Sequence, residues 1–94
     1  SIRIPAHFCG VFGFKPTPDR LTNKGVTVPS RRQESGQSNI RATIGPLARC
    51  TDDLVLAMRS LLQEKVWFNH PELPRQPWRE ERFTDKKRLT IGYY

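Results

Sequence analysis

The first fifteen residues hold four side chains that can do chemistry: Ser1, His7, Cys9 and Lys15. A serine hydroxyl becomes a useful nucleophile only when a base takes its proton. Ser1 admits three readings. It is simply the first residue of the sequence, with no role. It is an N-terminal nucleophile that uses its own α-amine as base, a chemistry available to Thr, Ser and Cys. Or it is an internal nucleophile whose partners precede it in a longer chain. Lys15 could act as a base only in a desolvated site that keeps it neutral. His7 and Cys9 form an H-x-C pair without the further ligand cluster that a zinc site needs, so no metal is expected.

Those residues need elements to position them. "VFGFK", Val11 to Lys15, alternates apolar residues with glycine and predicts a short buried strand, stopped by Pro16 and Pro18. "PTPDRLTNKG" is turn chemistry. "VTVP" predicts a short extended piece, and residues 30–42 a polar surface loop. "TIGPLAR", Thr43 to Arg49, is extended as far as Gly45-Pro46 and then turns.

The clearest helix lies between Asp52 and Lys65. Thr51 is its expected N-cap, and Asp52 and Asp53 sit where the helix dipole favours anions. Leu54, Ala57, Met58, Leu61 and Leu62 recur at helical spacing and form one apolar stripe. Residues 66–82 carry Pro71, Pro74, Pro77 and two tryptophans, and predict an extended, non-regular arm. "RLTIGYY", Arg88 to Tyr94, has β-type composition. Strand, helix and strand in that order indicate an α/β class.

Composition bounds the rest. The 94 residues are 36% hydrophobic and include eight prolines, with a mean hydropathy of −0.62. A chain of this size buries only ~60–65% of the surface that its unfolded form exposes. Its composition therefore reads as part of a larger domain, whose apolar strips would face other elements. The net charge is +7, with seven Lys/Arg against two Asp/Glu in residues 1–47 and nine against seven in 48–94. Arg31-Arg32 and Lys86-Lys87-Arg88 are the local clusters. No strand interleaves basic with aromatic residues, which argues against nucleic-acid binding and reads the charge as solvated surface. Cys9 and Cys50 make no disulfide framework and are expected as buried free thiols. No apolar run approaches the ~18–20 residues of a membrane span.

"SIRIPAHFCGVFGFKPT" resembles the segment at and after the nucleophile of amidase-signature enzymes. There, Gly-Gly-Ser is followed by Ile-Arg-x-Pro, then by Cys-Gly, two hydrophobic residues, Gly, a hydrophobic residue and Lys-Pro-Thr. Ser1, Ile2, Arg3, Pro5, Cys9, Gly10, Gly13, Lys15, Pro16 and Thr17 stand in that spacing. "GPLARCTDDLVLAMRSLL" is similar to the family's Gly-Pro-(Leu/Met)-Ala-Arg segment and the helix after it. "PELPRQPWREERFTDKKRLTIGYY" resembles the corresponding region of fatty acid amide hydrolases. Pro18-Asp19 stands where a glycine is common after Lys-Pro-Thr, and Cys50 where Ser or Asp is usual.

The resemblance implies a serine hydrolase that cleaves acyl amides, fatty acid amides in particular, without a cofactor. It implies a mixed β-sheet covered by helices, with residues 1–94 forming part of one amidase domain and 66–87 a proline-rich arm within it. Ser1 would be the nucleophile, carrying the acyl ester, and its backbone N–H would help to form the oxyanion hole. The family's lysine, bridging serine and glycine run precede that serine, so these 94 residues alone should be inactive. Arg3 would tie the nucleophile loop to a carboxylate, and Arg49 would anchor the turn before the helix. Lys15, within Lys-Pro-Thr, is structural in this reading. Phe8, Phe12 and Phe14 are expected in the core, although an acyl channel could use them. The Trp67-Phe68 pair and Trp78 read as clamps on the arm, or as a membrane-facing edge. An intracellular location is expected, with membrane association and a homodimer left open. The rival readings are an amidase-family enzyme with a non-lipid amide substrate, an amidotransferase subunit, a basic binding module and an N-terminal-nucleophile enzyme.

Overall fold

The structure, a computed structural model, describes residues 1–26 and 41–93. The elements run α1 (Arg3–Cys9), β1 (Phe12–Gly13), β2 (Leu47–Ala48), α2 (Thr51–Leu61), α3 (Glu64–Asn69) and α4 (Glu80–Thr84). Residues 27–29 of the extended piece expected in "VTVP" and most of the 30–42 loop lie outside the described residues.

Helix α1 was not among the expected elements, and it contains Pro5. Pro5 is the third helical residue, and the first four N–H groups of a helix have no intrahelical partner, so its missing N–H costs nothing there. The Ala6 N–H donates to the Ile2 carbonyl at 3.1 Å. Gly10 ends the helix at φ 63°, ψ 34°, the left-handed geometry that glycine adopts without strain. The Val11 N–H then donates back to the Ala6 carbonyl at 3.0 Å.

The chain reverses into β1, which pairs antiparallel with β2, Phe12 opposite Ala48 and Gly13 opposite Leu47. The Phe14 N–H extends the ladder to the Pro46 carbonyl at 3.0 Å. This ladder fastens the segment after Ser1 to the segment before α2. The expected strand at Val11–Lys15 is thus present in a shorter form, but it is not buried, since Phe12 is exposed and Gly13 half-buried.

The apolar stripe of α2 is also present. Met58 is 2% exposed and packs with Leu62, Trp67 and Leu21, while Ile44, Leu73 and Trp78 cover this core. Leu61 departs from the stripe and is exposed. Two details differ from expectation. Cys50, not Thr51, is the N-cap, with no side-chain cap bond, and Thr51 is the first helical residue. The helix also breaks after Leu61, with Leu62 at φ −92°, ψ 57° and Gln63 extended, and α3 starts at Glu64. The change of direction lets both Leu62 and Trp67 enter the same core. Pro71 disfavours helical geometry in His70, which sits at φ −135°, ψ 70° and closes α3. The arm is therefore non-regular only between its prolines, and helical on both flanks.

Other expectations are corrected. Residues 88–93 form no strand. A strand exists by pairing, and Leu89, Ile91 and Tyr93 have no ladder partner among the described residues and are exposed. Phe8, Phe12 and Phe14 are outside the core, at 83%, 51% and 41% exposure. Cys9 and Cys50 are free but exposed rather than buried. Helices with a small two-stranded sheet are consistent with the α/β class. Among the described residues, no helix is long and apolar enough to cross a membrane.

Candidate functional site

Ser1 immediately precedes Ile2, the N-cap of α1, and Ile2 anchors it. Ile2 is buried, and its side chain lies against Gly13 of β1 and against Gly45. A Cβ on Gly13 would stand 2.9 Å from the Ala6 Cβ and 3.0 Å from the Ile2 Cγ2. A Cβ on Gly45 would overlap the Phe14 carbonyl oxygen outright and stand 3.0 Å from the Ile2 Cδ1. Glycine at both positions lets α1, β1 and the 43–46 segment close on Ile2.

This packing leaves Ser1 exposed at one side of an open cleft of about 570 Å³. Ile2, Ile44 and Leu47 give the cleft apolar surface, and Lys15 and Arg41 give it cationic edges. The Thr43 Oγ1, in the same cleft wall, is buried without a hydrogen-bond partner among the described residues. Asn23 donates from Nδ2 to the Ala42 carbonyl at 2.8 Å and ties the 20s loop to the opposite wall. Arg41 pairs with Asp19. Asp19 itself has φ 62°, a left-handed geometry that Asp tolerates better than most residues. With Pro18 before it and the Arg20 N–H donating to the Thr17 carbonyl at 3.3 Å, it completes a turn of the type II pattern. The Pro18-Asp19 departure thus keeps a tight turn without glycine.

The structure places the expected residues unevenly. Ser1 and Lys15 line one cleft. Lys15 is solvent-exposed and lacks the burial that a lysine base requires. Arg3 and Arg49 are exposed and pair with no carboxylate among the described residues. His7 and Cys9 are exposed on α1 and do not line the cleft. No group of three or more potential metal ligands occurs among the described residues. Sequence reasoning missed Asn23, Arg41 and Thr43 as wall residues. The Gly45-Pro46 pair was the available signal, since a glycine there marks a close backbone approach.

The comparison with known proteins agrees with the site's motif. The family model described as Amidase matches residues 1–94. The chain belongs to the amidase family. It is 42% identical over 94 residues to vitamin D3 hydroxylase-associated protein of Gallus gallus, covering 100% of this chain and 19% of that protein. It is 36% identical to Amidase 1 of Gibberella moniliformis, covering 98% of this chain and 17% of that protein. It is 36% identical to fatty-acid amide hydrolase 1 of Sus scrofa, covering 100% of this chain and 16% of that protein. The chain thus spans less than a fifth of the length of these curated relatives.

Proposed function

We propose that this chain carries the nucleophile of an amidase that hydrolyses acyl amides, fatty acid amides in particular, to a carboxylic acid and an amine or ammonia. The observation that carries this reading is the position of Ser1, exposed at a cleft with apolar walls and held by the buried Ile2. Family membership supplies the reaction class.

In this reading the Ser1 Oγ attacks the amide carbonyl carbon as its proton passes to a base. The oxyanion is stabilised by backbone N–H groups, Ser1's own among them. The proton is then delivered to the departing nitrogen, the C–N bond breaks, and an acyl ester remains on Oγ. Water hydrolyses that ester and restores the serine. The base is the lysine that the family resemblance puts before Ser1, acting through a bridging serine, and Lys15 does not replace it. The whole-protein features of the reading are a mixed sheet covered by helices, an intracellular location and a partnership with lipid substrate.

Hydrolysis of a series of primary amides, from short to long acyl chains, by the native protein and by its Ser1→Ala variant tests this. The expected result is a preference for long chains and loss of all turnover in the variant. Turnover that survives Ser1→Ala would refute the nucleophile assignment. A short-chain preference would support the second reading, a non-lipid amide, since the chain is as similar to Amidase 1 as to fatty-acid amide hydrolase 1 and the two similarities do not separate the substrates.

A further inference from the structure

A second cleft, of about 520 Å³, lies away from Ser1 and shares no lining residue with the first. It is lined by Arg20, Trp78, Arg79, Arg82 and Phe83. Its aromatic wall is braced. Trp78 Nε1 donates to the Glu80 carboxylate at 2.8 Å, and Arg59 donates to the other oxygen of Glu80 at 2.6 Å. The Arg59 guanidinium lies 5.6 Å from the Trp78 ring centre and 5.3 Å from that of Phe83. The two rings stand 5.2 Å apart. Glu80 is thus committed to Arg59 and Trp78.

The three arginines of the cleft have no such counter-charge. None pairs with a carboxylate among the described residues. Asp19, next to Arg20 in sequence, is engaged by Arg41. The Arg20 Nε is buried with no hydrogen-bond acceptor among the described residues. Three guanidinium forks without a carboxylate partner among the described residues, at one concavity beside two rings tilted at 54°, suit a tetrahedral oxyanion, which several forks can bind at once. The concavity is open to solvent and has room for more than a lone ion.

We propose that this cleft binds a phosphate group, free or esterified to a small organic body that packs on Trp78 and Phe83. Binding requires the arginine forks, and the aromatic wall discriminates an ester from free phosphate.

The test is titration of the native protein with inorganic phosphate and with phenyl phosphate at constant ionic strength, read by calorimetry. The expected result is saturable binding of one equivalent. The Arg79→Gln/Arg82→Gln double variant should weaken it by about tenfold or more, the scale of a lost hydrogen bond to a charged group. Arg88→Gln, outside the cleft, should leave it unchanged. Arg20→Lys keeps the charge but not the fork, and should weaken it as well. Should Arg20→Lys not fold, the double variant at the exposed Arg79 and Arg82 carries the test. Tighter binding of phenyl phosphate supports an esterified ligand, and equal binding supports free phosphate. Absence of saturable binding, or equal weakening by Arg88→Gln, would overturn the proposal.

Discussion

The carbonyl oxygen of Phe14 lies against the Cα of Gly45, so close that no Cβ fits between them. That contact joins the strand after Ser1 to the segment before α2, and it shapes one wall of the Ser1 cleft. Gly45→Ala should therefore cost about 1–3 kcal/mol, because the obstacle is backbone rather than a side chain that can swing away. Gly92→Ala has open space and should be neutral within about 0.5 kcal/mol. Urea denaturation midpoints of the two variants check this.

Met58 is the most buried side chain of the core between α2, α3 and Leu21. Met58→Ala should destabilise by about 2–5 kcal/mol through lost burial and the cavity left behind. Leu56→Ala, on the exposed face of the same helix, should change stability by less than about 0.5 kcal/mol. Similar losses in the two variants would contradict the observed orientation of α2.

The stripe that fixes this orientation was readable in the sequence because α2 packs one face onto a core made by the chain itself. The extended course of Thr43 to Pro46 was readable for a similarly local reason, but the turn expected after Gly45-Pro46 is replaced by strand β2 at Leu47–Ala48. The missed elements depend on context. Pro5 looks like a breaker and is harmless at the third helical position. The break at Leu62 and Gln63, between α2 and α3, leaves no mark in composition, and it goes with the joint burial of Leu62 and Trp67. Residues 88–93 have strand composition but no ladder partner among the described residues. Of the residues that line the Ser1 cleft, Ser1 and Lys15 were singled out from motif spacing. Arg41, Asn23 and Thr43 were not, because their place follows from long-range ties such as Asn23 to Ala42.

Glu72 titrates below the ordinary carboxylate range. The chief cause is a hydrogen bond from its own backbone, with contact to His70 adding to it. A carboxylate whose folded pKa is depressed stabilises the fold above its unfolded pKa. That contribution is lost as pH falls through the folded value. Glu72→Gln should flatten this part of the acid limb of the stability profile, and a carbon-13 NMR titration of the Glu72 carboxyl should show the low midpoint directly.

Arg59 stacks on two rings and pairs with Glu80, a geometry that the planar guanidinium supports and an ammonium does not. Arg59→Lys should cost about 0.5–1 kcal/mol despite the retained charge. Since both partners are largely exposed, the Arg59–Glu80 coupling in a double-mutant cycle should stay below about 1 kcal/mol and shrink with added salt.

The assignment of Ser1 as nucleophile is tested most directly by labelling the native protein with a serine-reactive fluorophosphonate, then measuring its intact mass and mapping the adduct. The expected result is a single adduct, on Ser1, in a species heavier than the 10.9 kDa of these 94 residues. An unlabelled native species, or an adduct on another serine, would contradict the account.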